Sequence, residues 1–590
     1  MDVNMTPIKR TLPKPAITIE AGRVFNHAFD DMYFNQESLE ETKHVFIDAT
    51  DISKRFAYYD VHHVLETGFG TGLNFLSTWD VFRKTAPPHV RLRYAAIEGY
   101  PMSSQQISEV SDFFGPLKKL ADHMLLLMPP RWPGVHHCWF DHGRVELILM
   151  YGEFEDMLNA HEYCADTVYL DGFAPSKNPD MWTPKGLDAI ASCMRNGARL
   201  ATFTAAGLVR RQLSQSGLHV EKVPGFGTKR EMIVARKGGT VSHHIERSAI
   251  SVCGGGIGGV SVARYLQRLG ASAIIYEPNG QLGQGASGNP IANQLPRLGL
   301  DNTPAHRFAQ SAFAFSRREA FATGSELGAN GIHLSMNNDQ DARFRNIAAQ
   351  SWPTNYLEYL DAQELSDLLG FSHEFGGLRH EWAGSVDVRD WLYALSLGVE
   401  IRAGAPRNGD PCVLAVGKDV TKLLQKCYLP LSVTGGQISQ VRHLPKNKSF
   451  NMSLSYGGYF TPSRDGLHVF GATFEHDRTP DNTKVTIDGH ESNIATMPVG
   501  LRHHIGTPDP ISCGGRVSFR VSTRDRLPAL GKLHDSTYIL TGLGARGMTY
   551  GPYAGYILAC QILGVPSYAR KDVLSVLDWN RFAARDRHKL

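Results

Sequence analysis

The sequence predicts two α/β domains in tandem, each built on a parallel sheet with a glycine-rich turn after its first strand. First, short apolar segments alternate with amphipathic ones from about residue 61. Second, glycines cluster at 68–72 and at 254–259, each time between an apolar segment and a helical pattern. Third, the length of 590 residues leaves room for roughly four units at about 150 residues each, or for two large proteins joined together.

Composition and charge exclude several classes of protein. Hydrophobic residues make up 42% and charged residues 20%, which is typical of a globular chain and not of a disordered tail or a fibre. The net charge of +3 is too small to indicate a polyanionic partner by itself and does not oppose one. The eight cysteines lack close paired spacing, and no stretch approaches the roughly 18 apolar residues of a membrane span. We therefore expect a monomeric cytoplasmic protein without a metal site, membrane segment or signal peptide.

The first half contains five apolar segments that predict parallel strands, namely VHHVLET, RLRYAAIE, VELILMY, TVYLDGF and ARLATFT. The stretches between them are long enough for the crossover helices that a parallel sheet requires. A polar, glycine-containing break follows at 236–244, and a second strand, glycine turn and helix begin after it. We predict a first domain over 1–238, a linker over 239–247 and a second domain over 248–590.

The first glycine loop predicts a site for S-adenosylmethionine. Gly68, Gly70 and Gly72 follow a strand and lead into a helix, so the backbone can turn tightly and lie against a ligand. Glu66, just before them, disfavours a pyrophosphate but suits a cofactor with an amino group and a sulfonium. The next strand ends at Glu98, placed to accept hydrogen bonds from both ribose hydroxyls. The alternative is a tight strand-to-helix turn with a solvated glutamate.

The fourth strand leads into a segment that predicts a site for an amine. Asp171 and Phe173 follow this strand at the carboxyl edge of the sheet, where ligands of open α/β folds bind. The acid, aromatic and proline of 171–182 resemble the Asp/Asn-Pro-Pro-aromatic loop of amino-group methyltransferases. The resemblance implies that Asp171 holds the amine and that Phe173 packs on the target. The alternative is a proline-rich connector in which Asp171 caps a helix.

The second glycine loop predicts a dinucleotide site. Gly254, Gly256 and Gly259 form a G-x-G-x-x-G pattern between a strand and a helix. The next strand ends at Glu277, where a carboxylate can bind the adenosine ribose while the pyrophosphate lies at the helix N-terminus. Strand, loop, helix, strand and acid occur in the order that the dinucleotide fingerprint requires.

Three further segments resemble the D-amino-acid oxidase and glycine oxidase family and favour FAD over NAD. Segment 283–289, with Ser287, is similar to the second flavin contact of that family. Segment 541–549, with Gly544 and Gly547, is similar to the one that returns to the isoalloxazine ring. The resemblance also implies an α+β substrate subdomain of the D-amino-acid oxidase type.

The strand around Arg520 resembles the one whose arginine clamps the substrate carboxylate in that family. A guanidinium binds a carboxylate by two parallel hydrogen bonds, which lysine cannot reproduce. The resemblance implies that Arg520 is the clamp, and we expect Tyr459 to line the same pocket. The alternative is that Arg520 is a solvated or structural arginine.

The whole chain resembles the bacterial bifunctional proteins of tRNA 5-methylaminomethyl-2-thiouridine biosynthesis. The likeness includes GFGTGLNF at 68–75, LDGFAPSKNPDMW at 170–182, GFGTKREM at 225–232 and the flavin motifs. It implies a Rossmann-like S-adenosylmethionine methyltransferase followed by an FAD-binding Rossmann domain. The second domain would remove the carboxymethyl group from a wobble uridine of tRNA, acting on a CH–NH bond, and the first would methylate the exposed amine.

The sequence itself supports tRNA binding only through a basic cluster at the end of the first domain. Clustered lysines and arginines can contact phosphates, although a solvated basic face is the alternative. The residues are Arg210, Arg211, Lys222, Lys229, Arg230, Arg236 and Lys237.

The second domain is shorter than the flavin family leads us to expect. The chain passes through 398–410 directly to the segment at 411–417, where the family has several more strands, including one beside the adenine. Two other functions therefore stay open. The chain could be a small-molecule amino acid oxidase fused to a metabolite methyltransferase, or a methyltransferase whose flavin half only docks tRNA.

Overall fold

The structure of the chain is a computed structural model. It describes residues 10–240, 249–353, 355–407, 409–424, 429–442, 444 and 450–583. The predicted linker at 239–247 lies outside the described residues except for its first two positions.

The N-terminal half alternates strands and helices. Its strands are β1 (Ile17–Glu20), β2 (Arg23–Asn26), β3 (Asp31–Phe34), β4 (Val61–Glu66), β5 (Arg91–Glu98), β6 (Gly134–Phe140), β7 (Val145–Tyr151), β8 (Ala165–Tyr169), β9 (Met194–Thr202), β10 (Leu218–Pro224) and β11 (Glu231–Lys237). Its helices are α1 (Ser38–Thr42), α2 (Ile52–Arg55), α3 (Leu73–Thr85), α4 (Ser104–Ser111), α5 (Lys118–Leu127), α6 (Phe154–Ala160), α7 (Pro184–Cys193) and α8 (Gly207–Gln215).

The main sheet of this half confirms the five predicted parallel strands and adds three antiparallel ones. Within the described residues its order is β10-β11-β9-β8-β4-β5-β7-β6. Strands β9, β8, β4, β5 and β7 are parallel to one another, whereas the edge pairings β6–β7, β11–β9 and β10–β11 are antiparallel. Every residue of β4 is buried, because helices cover both faces of a parallel sheet. The carboxyl ends of β4, β5 and β8 therefore meet at one edge.

A small antiparallel sheet precedes the main one and lies over its carboxyl edge. It is formed by β1, β2 and β3 in sequence order. Asp31 of β3 accepts a hydrogen bond of 3.1 Å from the backbone nitrogen of Ala174. The aromatic ring of Tyr33 lies against Gly70, with the nearest ring atom 3.3 Å from the point that a Cβ at Gly70 would occupy. The small sheet thus contacts both loops that the sequence singles out.

The C-terminal half has two sheets and a set of helices. Its strands are β12 (Ile250–Cys253), β13 (Ala273–Glu277), β14 (Ile291–Gln294), β15 (Glu326–Leu334), β16 (Glu358–Leu360), β17 (Gly377–Asp387), β18 (Glu400–Ala403), β19 (Cys412–Leu414), β20 (Leu431–Arg442), β21 (Ser453–Ser455), β22 (Tyr459–Phe460), β23 (Leu467–Gly471), β24 (Gly514–Thr523), β25 (Ala529–His534) and β26 (Thr537–Thr541). Its helices are α9 (Ile257–Arg268), α10 (Pro304–Ala322), α11 (Asn338–Ala348), α12 (Ala362–Leu369), α13 (Val388–Ser396), α14 (Val420–Leu423), α15 (Ile487–Ala495), α16 (Val499–Ile505), α17 (Gly547–Leu563) and α18 (Lys571–Leu577).

The first of these sheets has the order β18-β13-β12-β19-β26-β25 in the described part of the chain. All neighbours are parallel except β25 and β26. The stretch 398–410, where the sequence led us to expect that several strands of the flavin family are missing, contains β18, and its Ala403 pairs with Glu277. The prediction was wrong at this point because the four residues of β18 are all exposed and carry no buried apolar pattern. The chain then reaches β19 after a short connection.

The second sheet forms the α+β subdomain that the resemblance implied. Its order is β14-β17-β15-β21-β22-β23-β20-β24, and β16 pairs with β17, as far as the described residues show. Strand β24 pairs antiparallel with β20 along its whole length. Tyr459 lies in β22 and Arg520 lies in β24, so both predicted substrate residues belong to this sheet.

The two halves pack against each other through buried polar and aromatic side chains. Arg93 of β5 and Glu146 of β7 form an ion pair of 2.6 Å with almost no exposed surface. Tyr556 of α17 donates a hydrogen bond of 2.8 Å to Glu146, and the carbonyl of Pro566 accepts one of 2.8 Å from Arg93. The C-terminal half therefore supplies two of the partners of a charge pair that lies in the N-terminal half.

None of the helices in the described ranges is both long enough and apolar enough to pass through a bilayer. Among the same residues, no group of three or more His, Cys, Asp or Glu side chains could hold a metal ion.

Candidate active sites

The first candidate site lies where β4, β5 and β8 end. Gly72 caps α3 in the left-handed conformation, with φ of 81°. A Cβ at this position would come within 2.9 Å of the Phe69 ring, so both the space and the backbone favour glycine. Gly68 lies against the backbone of Asp171, and Thr67 donates a hydrogen bond of 2.6 Å to the Asp171 carbonyl. The glycine loop and the loop after β8 thus form one site, as the sequence predicts.

Glu98 holds the glycine loop from the end of β5. Its carboxylate accepts hydrogen bonds from the backbone nitrogen of Gly70 at 3.0 Å and from that of Tyr100 at 2.7 Å. Burial raises the pKa of Glu98, and the backbone donors oppose that rise. A carboxylate at the end of the second parallel strand, beside a loop of left-handed glycines, fits the ribose of a nucleotide-like cosubstrate such as S-adenosylmethionine.

Glu66 lies beneath the loop and is fully buried. Its two oxygens accept hydrogen bonds from Asn74 at 2.7 Å and from the hydroxyl of Tyr94 at 2.9 Å. Burial and the nearby Asp171 raise the pKa of Glu66 well above its usual range. The solvated glutamate considered from the sequence is therefore wrong, since the side chain has no exposed surface.

Asp171 is held at the mouth of the site by two donors. One carboxylate oxygen accepts from the backbone of Gly172 at 2.8 Å, and the other accepts from Asn74 at 2.7 Å. Burial raises the pKa of Asp171 to about 6, against the effect of these hydrogen bonds. A carboxylate of this kind is ionised at neutral pH and can hold an amine by its hydrogens.

Phe173 forms part of an aromatic cluster beside Asp171. Its ring stacks on Phe29, with centroids 4.4 Å apart and an interplanar angle of 18°. Tyr33 meets the same ring edge to face at 4.8 Å. Trp182 donates a hydrogen bond of 3.0 Å from its indole nitrogen to the Phe173 carbonyl and so fixes the loop. The cluster offers flat apolar surfaces to a planar target next to the acid.

The second candidate site begins at the glycine loop before α9. Gly254 has φ of 112°, and a Cβ there would lie 2.4 Å from the carbonyl oxygen of Ala415. A Cβ at Gly259 would lie 1.9 Å from the carbonyl oxygen of Gly254. Beside Gly256, Ser287 accepts a hydrogen bond of 2.9 Å from the backbone nitrogen of Ile257. Glycine at these positions lets the backbone pack closely before α9. The loop and the N-terminus of α9 together form a cradle that fits the pyrophosphate of FAD.

The other predicted flavin residues lie around the same glycine loop and helix N-terminus, a region that we call the flavin groove. Glu277 accepts a hydrogen bond of 2.5 Å from the backbone nitrogen of Gly255. Gly547 begins α17, and a Cβ there would lie 3.4 Å from Ile257 in the first turn of α9. Gly544 lies just before it, near the hydroxyl of Ser522 on β24. The structure thus brings together three segments that are far apart in the sequence.

Arg520 and Tyr459 lie together on the second sheet. Arg520 donates a hydrogen bond of 3.2 Å to the Thr473 carbonyl, and its guanidinium lies 4.7 Å from the centre of the Phe474 ring. Burial raises the pKa of Tyr459 to about 12, against the effects of the Arg520 charge and a hydrogen bond with Asn289. Because Asn289 belongs to the predicted flavin contact, the pair of Arg520 and Tyr459 is linked to the flavin groove.

The basic cluster at the end of the first domain is smaller than the sequence suggested. Lys237 donates to the carbonyls of Ala191 and Met194 at 3.0 and 2.8 Å, so it anchors the end of α7. Lys222 pairs with Glu231 at 2.6 Å. Lys229 pairs with Glu41 at 2.8 Å. The arginines of the cluster are exposed at Arg210, Arg211, Arg230 and Arg236.

Two residues that the sequence did not single out occupy central positions. Asn74 connects Glu66 with Asp171, and its place in the GTGLN segment directly after the glycines was the available signal. Arg516 donates to the carbonyls of Gly285 at 3.0 Å and Gln284 at 3.1 Å, so it ties the flavin-contact segment to β24. Its sequence neighbourhood resembles the clamp strand, but the spacing favoured Arg520.

Two family models match different parts of the chain. A family model described as S-adenosyl-L-methionine-dependent methyltransferase matches residues 115–238, which include Asp171 and Phe173. A second model, described as FAD dependent oxidoreductase, matches residues 249–561. Among solved structures, glycine oxidase from Bacillus cereus is 20% identical, with a TM-score of 0.44, over 54% of this chain and 95% of that chain.

Two curated relatives cover nearly the whole chain. Both are tRNA 5-methylaminomethyl-2-thiouridine biosynthesis bifunctional proteins and both are 30% identical to it. The protein from Methylobacillus flagellatus matches over 96% of this chain and 95% of its own length. The protein from Pseudomonas aeruginosa strain UCBPP-PA14 matches over 96% of this chain and 97% of its own length. The chain therefore belongs to the family of tRNA 5-methylaminomethyl-2-thiouridine biosynthesis bifunctional (MnmC) proteins, with a methyltransferase domain followed by an FAD-dependent oxidoreductase domain.

Proposed function

We propose that the chain carries out two successive reactions on the wobble uridine of tRNA. The C-terminal domain removes the carboxymethyl group of 5-carboxymethylaminomethyl-(2-thio)uridine. The N-terminal domain then methylates the exposed amine and yields 5-methylaminomethyl-(2-thio)uridine, the nucleoside that the relatives' name specifies. The observation that carries this proposal is the presence in one chain of Asp171, suited to an amine, and Arg520, suited to a carboxylate.

The oxidation requires a residue that holds the carboxylate of the –NH–CH2–COO⁻ substituent. Arg520 is half-buried beside Tyr459, and a guanidinium in such a place can bind a carboxylate through two parallel hydrogen bonds. The glycine loop before α9 would hold FAD, which would supply the hydride acceptor for the methylene carbon. Water then cleaves the resulting C=N bond, so glyoxylate leaves and an aminomethyl group remains on the uridine.

The methylation requires a neutral amine with its lone pair directed at the methyl carbon. Asp171 accepts hydrogen bonds from the amine and takes up a proton, while Phe173 packs on the uracil ring. S-adenosylmethionine supplies the methyl group. The product of the oxidation is thus the amine that the methyltransferase site accepts.

Recognition of tRNA calls for contacts to phosphates. The exposed arginines at 210, 211, 230 and 236 support such contacts at the end of the first domain. We expect the chain to act as a monomer in the cytoplasm, where its tRNA substrates occur.

The proposal is tested with tRNA that carries carboxymethylaminomethyluridine. FAD-loaded protein is incubated with this tRNA and, in parallel, with free glycine and sarcosine. Wobble nucleosides are analysed by mass spectrometry, and hydrogen peroxide or dye reduction reports the oxidation of free amines. Conversion of the tRNA is the expected result. Oxidation of glycine or sarcosine alone would instead indicate a small-molecule oxidase, and failure to take up FAD would indicate a docking module.

A further inference from the structure

Asn74 makes three hydrogen bonds inside the methyltransferase site. Its amide nitrogen lies 2.7 Å from a carboxylate oxygen of Glu66 and 2.7 Å from one of Asp171. Its amide oxygen accepts a hydrogen bond of 2.8 Å from the hydroxyl of Thr42. Asn74 and Thr42 are both buried. One amide group thus joins two acids, one of them deep in the fold and the other at the mouth of the site.

These three partners fix the orientation of the amide. An NH2 group has two hydrogens, and the two carboxylates take one each. A flipped amide would direct its oxygen at both carboxylates and its nitrogen at Thr42, which would leave one oxygen of each acid without its donor. The two carboxylates therefore select the orientation in which Asn74 supports Asp171, and the Thr42 hydroxyl holds that orientation by donating to the amide oxygen.

We propose that Asn74 is a positioning residue for methyl transfer, holding the Asp171 carboxylate in the orientation that receives the substrate amine. This inference rests on the proposed function of the N-terminal domain. Gly172 fixes one oxygen of Asp171, and Asn74 fixes the other. Each oxygen keeps further acceptor capacity that can be turned toward an N–H of the amine.

The chemistry shows why this support matters. An alkylammonium must first lose a proton, which the Asp171 carboxylate can accept, so that the nitrogen gains a free lone pair. The nitrogen then forms a bond to the methyl carbon while the carbon–sulfur bond breaks and its electron pair goes to the sulfur. A carboxylate that rotates away, or that is already protonated, cannot serve either the orientation or the proton transfer.

The charges around Asp171 predict the effect of losing Asn74. Asp171 faces Glu66 behind it, Glu41 from α1 and Lys229 from the loop before β11. Burial and Glu41 raise the pKa of Asp171, whereas Gly172, Asn74 and Lys229 lower it. Removal of the Asn74 amide takes away one of the lowering contributions, so the pKa of Asp171 rises and less of it is ionised at neutral pH.

The test uses the FAD-loaded full chain with tRNA that already carries aminomethyluridine. Asn74→Ala, Thr42→Val and Thr42→Ser are compared with the wild type. We expect Asn74→Ala to lower kcat for methylation by at least about 10-fold and to move the acid limb of the kcat profile to higher pH. Thr42→Val should change both quantities in the same direction by less, and Thr42→Ser should restore them because it keeps the hydroxyl.

Two readouts separate positioning from a general loss of structure. The oxidation of carboxymethylaminomethyl tRNA should stay within about threefold of wild type, since Asn74 lies in the other half of the chain, and the Asn74→Ala protein should still bind S-adenosylmethionine. An acid limb that stays at the wild-type pH in both Asn74→Ala and Thr42→Val would overturn the inference. If Asn74→Ala does not fold, Thr42→Val and Thr42→Ser are compared alone. An acid limb that stays at the wild-type pH in Thr42→Val would then overturn the inference. A wild-type protein that methylates no aminomethyl tRNA would overturn the proposed function itself.

Discussion

Tyr556 of the C-terminal half donates a hydrogen bond of 2.8 Å to Glu146 of the N-terminal half. The same hydroxyl accepts a hydrogen bond from Arg93, the ion-pair partner of Glu146. All three side chains are almost completely buried. A buried ion pair is stable only when its remaining polar atoms also have hydrogen-bond partners. The ion pair of the N-terminal half therefore depends on a hydroxyl of the C-terminal half.

Removing this hydroxyl should weaken the whole molecule. We expect Tyr556→Phe to lower the free energy of unfolding by about 1–3 kcal/mol, because it removes a buried hydrogen bond from Glu146 and leaves the Nη2 group of Arg93 without its acceptor. Urea unfolding measures the change. Tyr393→Phe is the control, since Tyr393 is 68% exposed, and its effect should be within about 0.5 kcal/mol. Equal effects of the two substitutions would contradict the structural role of Tyr556.

The buried pair also predicts a loss of stability in acid. Burial alone would raise the pKa of Glu146, but the Arg93 charge and the His137 hydrogen bond outweigh it and lower the pKa to about 2. A depressed pKa means that the ionised form contributes stability above the unfolded pKa of about 4.5. That contribution is lost as the pH falls from about 4.5 to about 2.

Glu146→Gln isolates this contribution. The variant should be less stable than wild type at neutral pH, because Arg93 loses its counter-charge while remaining buried. Its stability should also fall less steeply between pH 4.5 and 2, since position 146 no longer titrates. Urea unfolding at a series of pH values gives both quantities. Parallel pH dependences in variant and wild type would show that Glu146 is not the titrating group.

The carboxylate clamp predicts a selective defect in the oxidation. Arg520→Lys should lower kcat/KM for carboxymethylaminomethyl tRNA by about 10²-fold, because one ammonium cannot form the two parallel hydrogen bonds of a guanidinium. Methylation of aminomethyl tRNA should be unchanged. Arg402→Lys serves as the control, since Arg402 is exposed on β18. A defect in both reactions would contradict the assignment of Arg520 to one site.

The flavin cradle predicts a different defect in the same half. Gly256→Asp places a carboxylate at the N-terminus of α9, where the pyrophosphate would lie, and its Cβ would be 3.2 Å from the hydroxyl of Ser287. We expect loss of FAD from the purified protein and a stall at the carboxymethyl stage. Gly514→Ala, where a Cβ meets only ordinary contacts of 3.6 Å or more, is the control. Full flavin content in Gly256→Asp, measured by absorbance, would place the cofactor elsewhere.

The parallel strands and both glycine loops could be predicted because their signals are local. Each of the five predicted strands is a short apolar run, and β4 is buried along its whole length. The edge strand β10 escaped prediction since exposed residues interrupt its pattern, and β18 is exposed throughout. Edge strands bury little, so their sequences carry little of the apolar signal.

The supporting contacts of the sites could not be predicted, because they join residues far apart in the sequence. Asn74 and Asp171 are 97 positions apart, and Tyr556 and Glu146 are 410 apart. An asparagine after a glycine loop, or a tyrosine in an apolar helix, can have many structural roles. Its role depends on which residue it contacts in the folded chain. The sequence predicts which acid lies at the site, but only the fold shows which amide orients it.

Two sites in one chain should act in succession on one uridine. The most direct test incubates carboxymethylaminomethyl tRNA with FAD-loaded wild-type protein and with Asp171→Ala, each with and without S-adenosylmethionine, and identifies the wobble nucleoside by mass spectrometry. We expect aminomethyluridine from the wild type without S-adenosylmethionine, methylaminomethyluridine with it, and aminomethyluridine from Asp171→Ala in both cases. Absence of both products from the wild type, or full methylation by Asp171→Ala, would contradict it.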